Sequence, residues 1–173
     1  MFQSLYLRKA GILVGRFMKT DLVPDHELAV SGAASDNLQR ISLKKEQALQ
    51  YNLADTGFSV HAAFFDYDRD GDLDVYLLNN SSYPVSRLGY ANIRTERDKL
   101  GGDKLLRNDG GKFSDVSPEA GIYGSLIGFG LGITIGDVNN DNWPDIFISN
   151  DFYERDYLYL NNKNGTFTEA SKD

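Results

Sequence analysis

A nine-residue acidic segment that occurs twice constrains this chain more than any other feature. Asp66-Tyr67-Asp68-Arg69-Asp70-Gly71-Asp72-Leu73-Asp74 returns as Asp137-Val138-Asn139-Asn140-Asp141-Asn142-Trp143-Pro144-Asp145. In both copies an oxygen-bearing side chain stands at loop positions 1, 3, 5 and 9. Apolar runs precede the loops (Ala62-Ala63-Phe64-Phe65 and Ile133-Thr134-Ile135) and follow them (Val75-Tyr76-Leu77-Leu78 and Ile146-Phe147-Ile148). A strand, a carboxylate-rich turn and a second strand give a hairpin with a hard-cation site at its tip.

The loop chemistry sets the ligand assignment. Ca²⁺ takes about six to eight oxygens from carboxylates, amides, backbone carbonyls and water. Asp66, Asp68, Asp70 and Asp74 are the candidate side-chain ligands of the first site, with the carbonyl of Asp72 as a fifth. Asp137, Asn139, Asp141 and Asp145 form the second set, with the carbonyl of Trp143. Position 6 must turn sharply; Gly71 reaches φ > 0 without penalty, and Asn142 tolerates it next best. Without a cation the carboxylates repel, by about 4 kcal/mol for a pair about 4 Å apart at an effective dielectric of about 20. An EF-hand is excluded. It needs flanking helices and a Glu at position 12, where this chain has Leu77 and Ile148.

The similarity runs beyond the loops. Gly57 to Phe65 aligns without a gap with Gly128 to Gly136, at an offset of 71 that holds through both loops to Asn79 and Asn150. Gln50-Tyr51-Asn52-Leu53 aligns with Glu119-Ala120-Gly121-Ile122, Asn standing where the other copy has Gly. Asp103-Lys104-Leu105-Leu106-Arg107-Asn108 matches Asp156 to Asn161, and Gly111-Lys112-Phe113 matches Gly165-Thr166-Phe167. The shorter offset there means that the first copy carries about 18 additional residues, a polar, aromatic and basic stretch expected to form a surface loop. Each unit reads as four short strands, near 59–65, 73–79, 103–107 and 112–116, then 130–136, 144–149, 156–160 and 166–170. Four antiparallel strands per repeat describe a propeller blade.

Composition agrees. The chain has 173 residues, 17 Gly, ten Tyr and ten Phe, which favours β structure with many turns. It has no Cys, which excludes disulfides and thiolate metal sites. Seven ligand-position aspartates account for the whole net charge of −7. The acidity is therefore local. No basic stripe suits nucleic acid, and no apolar run is long enough to span a membrane. Met1 to Thr20 lacks the features of a secretory signal, so an exported form needs a targeting segment outside this chain. Leu43 to Tyr51 has helix-forming composition; the rest of 9–45 shows no clear pattern, and Ser4-Leu5-Tyr6-Leu7 resembles the third strand of a repeat.

These residues carry a family resemblance. Asp66-x-Asp68-x-Asp70-Gly71-x-x-Asp74 and its second copy resemble the FG-GAP/VCBS repeats, the calcium-bearing propeller repeats of integrin alpha chains and many bacterial surface proteins. Phe129-Gly130, Leu158-Tyr159-Leu160-Asn161-Asn162 and Asn164-Gly165-Thr166-Phe167 support it, and the pattern is most similar to bacterial members beside ASPIC/UnbV-type domains. The resemblance implies an all-β fold: a partial β-propeller of about two four-stranded antiparallel blades with calcium loops, plus an irregular N-terminal segment. Residues 1–45 are then a remnant of a preceding blade or an irregular segment. Residues 46–122 are the first repeat, with a surface insertion at 82–99, and 123–173 the second.

The resemblance also implies one Ca²⁺ per loop and a non-catalytic role in extracellular or cell-surface binding of a protein or glycan, within a longer propeller of further blades in an exported bacterial protein. A propeller scaffold for a larger, carbohydrate-active enzyme and a structural spacer are the alternatives. Phe64-Phe65-Asp66-Tyr67-Asp68 also looks like the opening of a haloacid-dehalogenase-type phosphotransferase, but that chemistry needs one site in an α/β fold. His61 and His26, the two histidines, have no catalytic partner in sequence. Gly128-Phe129-Gly130-Leu131-Gly132 leads into a strand and lacks the helix of a phosphate cradle; it is expected to let inner strands crowd together. Trp143, Tyr153, Tyr157 and Tyr159 are expected to fill the space between blades.

Overall fold

The computed structural model describes residues 14–16, 28–29, 42–43, 45–81, 94, 96–152 and 154–171. Eight strands form two meanders. The first comprises β4 (Ser59–Phe65), β5 (Asp74–Asn79), β6 (Lys104–Asn108) and β7 (Phe113–Asp115). The second comprises β8 (Gly130–Gly136), β9 (Asp145–Asn150), β10 (Tyr157–Asn161) and β11 (Phe167–Glu169). Every pairing is antiparallel between neighbours in sequence, and the strands lie within a residue or two of the expected positions. Registers repeat as well: Phe65 faces Asp74, and Gly136 faces Asp145, across the loop mouths. Both blades even carry the same irregularity on the first strand, at Ser59/His61 and Gly130/Gly132.

Three further short strands lie in the segment expected to be irregular. β1 (Val14–Arg16) adds to the free edge of β4, and β2 (Leu28–Ala29) pairs with β3 (Ser42–Leu43). Val14 sits in a short apolar run that pattern analysis passes over, because a three-residue strand shows no alternation. The expected helix is α1 (Lys45–Tyr51); it starts later than Leu43 because β3 occupies that position. Ser4 to Leu7 and Tyr153 lie outside the described residues. Among the described residues no helix is long and apolar enough to cross a membrane.

The main core is the seam between blades. Phe65, Tyr76, Leu78 and Leu105 of the first blade meet Ile133, Ile146, Ile148, Tyr157 and Tyr159 of the second. Each such side chain contributes about 1.5–3 kcal/mol on burial. A Cβ on Gly130 would fall inside Leu78, so this glycine is what allows β8 to approach the first blade. The opposite side of the first blade carries a second cluster of Ala62, Val75, Leu106 and Phe113, with Tyr51 and Leu53 against it. By repeat position, Tyr76 of the seam corresponds to Phe147. Tyr76 is wholly buried, whereas Phe147 is 38% exposed.

The C-terminal arm of the insertion, exposed at Glu96, Arg97 and Lys99, is tethered to the rest of the protein. Arg97 bridges to Ser125 and donates to the carbonyls of Ile122 (2.6 Å) and Asp103 (2.9 Å). Arg94 pairs with the buried Glu154 at 2.6 Å. Two basic residues thus tie the insertion to the linker and to the second blade. Residues 82–93 and 95 of the insertion lie outside the described residues.

Candidate metal centre

The two loops are built by the same hydrogen bonds. The position-1 aspartate accepts from the position-6 amide, Gly71 N to Asp66 (3.2 Å) and Asn142 N to Asp137 (2.8 Å). Position 3 accepts from position 5, Asp70 N to Asp68 (3.3 Å) and Asp141 N to Asn139 (3.0 Å). Position 5 accepts from position 7, Asp72 N to Asp70 and Trp143 N to Asp141, both at 2.8 Å. The bonds from positions 3 and 5 are Asx turns, in which a side chain replaces a backbone carbonyl. Position 6 is left-handed in both copies, with φ of 97° at Gly71 and 69° at Asn142. Position 4 is left-handed too, with φ of 64° at Arg69 and 59° at Asn140. Sequence reading missed position 4, although Asn140 is a residue type that tolerates it.

Position 9 is the anchor. Asp74 and Asp145 are fully buried. Each divides its two oxygens between the position-2 amide and an asparagine at the end of the third strand. Asp74 takes Tyr67 N (3.0 Å) and Asn108 N (2.8 Å); Asp145 takes Val138 N (2.9 Å) and Asn161 N (2.8 Å). Those asparagines also hold the position-8 carbonyls, Leu73 O at 3.1 Å and Pro144 O at 3.2 Å. Asn108 and Asn161 escaped the sequence reading, although their alignment in the repeat was the available signal.

Oxygens of Asp66, Asp68 and Asp74 lie within 4.8 Å of one another. Asp66 Oδ1 is buried and has no hydrogen-bond partner. An uncompensated carboxylate oxygen beside two other carboxylates is the donor set a hard cation satisfies. Asp70 stands outside that group. The Asp72 carboxylate turns away to accept from Gly110 N at 3.2 Å, consistent with a role for its carbonyl alone. The second loop differs. Asn139 donates to Asp141 Oδ2 (3.0 Å), and Lys163 Nζ lies 3.3 Å from the same oxygen. Lys163→Gln is therefore expected to raise cation affinity at the second loop about two-fold, the scale of an exposed ion pair, as read by calorimetric titration. His61 Nδ1 accepts from Ile133 N at 3.3 Å across the seam.

Burial pushes the Asp74 carboxyl up to about 7, against its two amide donors, with Asp68 and Asp70 adding repulsion. Asp68 is raised by burial and by Asp70. Buried Asp103, which accepts from Tyr76 Oη (2.9 Å) and Asn79 N (2.9 Å), is also pushed up to about 7, chiefly by burial. A folded-state value above the unfolded one favours the fold below about pH 4, and that contribution fades as pH rises through about 7. Ion-free protein is therefore expected to lose stability between about pH 4 and pH 7. Saturating calcium should flatten the Asp74 share of that slope and leave the Asp103 share, as denaturant melts across pH would show.

The model of the FG-GAP-like repeat matches residues 137–173, from the first residue of the second loop through β11. Comparison with curated proteins returns no match.

Proposed function

The C-terminal unit of this chain is an FG-GAP-like repeat, and on that premise we propose that both loops hold Ca²⁺ and that the chain is a non-catalytic, calcium-stiffened propeller segment for extracellular or cell-surface binding. The observation that carries this reading is the buried, unpartnered oxygen of Asp66, on a carboxylate grouped with those of Asp68 and Asp74 in a loop whose hydrogen bonds recur in its copy. Asp66, Asp68, Asp70 and Asp74, with the Asp72 carbonyl, hold one ion. Asp137, Asn139, Asp141 and Asp145, with the Trp143 carbonyl, hold the other. Extracellular calcium modules have a Kd of about 10⁻⁴–10⁻³ M, a range that fills outside cells and stays empty inside them. The partner is a protein or a glycan met at that surface.

A thermal melt tests the metal role. With Ca²⁺ at about 100 times Kd, each filled site adds about 2.7 kcal/mol, so the midpoint should rise and return after chelation. A midpoint indifferent to both additions would remove the structural-metal role. The adhesive role is read on glycan arrays and by pull-down of surface proteins, where capture should need calcium.

A further inference from the structure

The two loops touch each other, and by contacts that differ from those inside each loop. Arg69, at position 4 of the first loop, extends across the seam. Its guanidinium lies 4.8 Å from the centre of the Trp143 ring and donates to the carbonyl of Asn142. Those are positions 7 and 6 of the second loop. Beneath them, Asn161 Nδ2 donates to Tyr67 O at 2.9 Å, and this bond is buried. Tyr67 is position 2 of the first loop, the residue whose amide holds Asp74. Asn161 also holds Asp145 and the Pro144 carbonyl. One asparagine thus grips the anchor of the second loop and the backbone of the first.

We infer that the two cation sites are energetically coupled, filling of the first loop ordering the second through Arg69, across a seam that Asn161 holds closed. The inference rests on the calcium reading above. Arg69 is left-handed, as Asn140 is in the other loop, and its side chain crosses to the second loop. An ion held by Asp66, Asp68 and Asp70 fixes the backbone on both sides of Arg69. The fixed guanidinium then restrains the Asn142 carbonyl and the Trp143 ring, next to the carbonyl assigned to the second ion. Linkage makes the effect reciprocal. Its size follows from an exposed cation–π contact, about two- to five-fold in affinity.

Trp143 is the single tryptophan of the chain, so its fluorescence reports the second loop. The test uses the full chain carrying Asp137→Asn, which disables the second site and leaves buried Asp145 in place. Ca²⁺ is titrated with calorimetry and fluorescence in parallel. Calorimetry should record one ion, and Trp143 emission should change with the same midpoint although its own loop is empty. Adding Arg69→Asn removes the guanidinium and keeps a residue suited to positive φ, as Asn140 is in the other loop. That variant should still bind one ion while the Trp143 response is lost. In the parent background, Asp137→Asn should weaken the first site about two- to five-fold, and in the Arg69→Asn background it should leave the first site unchanged. Calorimetric filling with a silent Trp143 overturns the coupling alone. Absence of any binding heat in the unmodified chain overturns the calcium reading and the coupling with it.

Discussion

Asp145→Ala is expected to cost about 2–4 kcal/mol of folding stability before any ion is considered. The side chain is fully buried, and its oxygens accept from Val138 N and Asn161 N at 2.9 and 2.8 Å. Truncation leaves the buried Asn161 amide unpaired, at about 1–3 kcal/mol, and the half-buried Val138 amide, which water can reach, at less. It also frees Asn161, which joins the seam to Tyr67 O. Asp145→Asn should cost less, because one oxygen still accepts. Asp137→Ala should cost least of the three without calcium, since Asp137 is exposed and its bonds stay within the loop. Urea melts in chelator give this order directly. An Asp145→Ala protein as stable as Asp137→Ala would mean that position 9 serves the ion alone.

Gly102→Ala should be nearly as damaging, by a different route. A Cβ there would lie 2.6 Å from Asp98 O, 2.7 Å from Gly124 O and 2.8 Å from Gly124 Cα. All three are backbone atoms, so no side chain can swing aside. Gly102 also accepts from Asn79 Nδ2 at 2.6 Å and donates to Asp98 O at 3.1 Å. The methyl must push the arm of the insertion off the linker, where Asp98 N meets Gly124 O at 2.8 Å. Overpacking of this kind costs about 1–3 kcal/mol. Gly136→Ala is the control: nothing lies within 4 Å of its Cβ, and stability should move by less than about 0.5 kcal/mol. Equal melts for the two variants would place the arm of the insertion elsewhere in solution.

The strands and loop tips were legible because they depend on local chemistry. Apolar runs on each side of an Asx-rich turn fix a hairpin, and repetition at a constant offset fixes its register. Gly71 and Asn142 marked the turn because few residues accept positive φ. Asn52 and Gly121, aligned by sequence, are both left-handed as well, at 60° and 77°. What stayed hidden depends on distant partners. Nothing around Arg97 says that it will meet Ile122 O, and nothing around Arg69 says that it will cross to Trp143. Asn108 and Asn161 look like turn residues until Asp74 and Asp145 are seen to need their amides. The β1 pairing was invisible for the same reason, since a three-residue strand takes its identity from β4.

Tyr76 and Phe147 occupy one repeat position and meet opposite fates, the first sealed in the seam and the second partly open to water. The assembly therefore has a leading and a trailing side, like nested cups, each rim shaped by the one behind it. A reader scoring the two copies for shared residues would mistake this directionality for divergence. Among the described residues only Tyr76 has a following blade packed against it, so one repeat position serves two different surroundings.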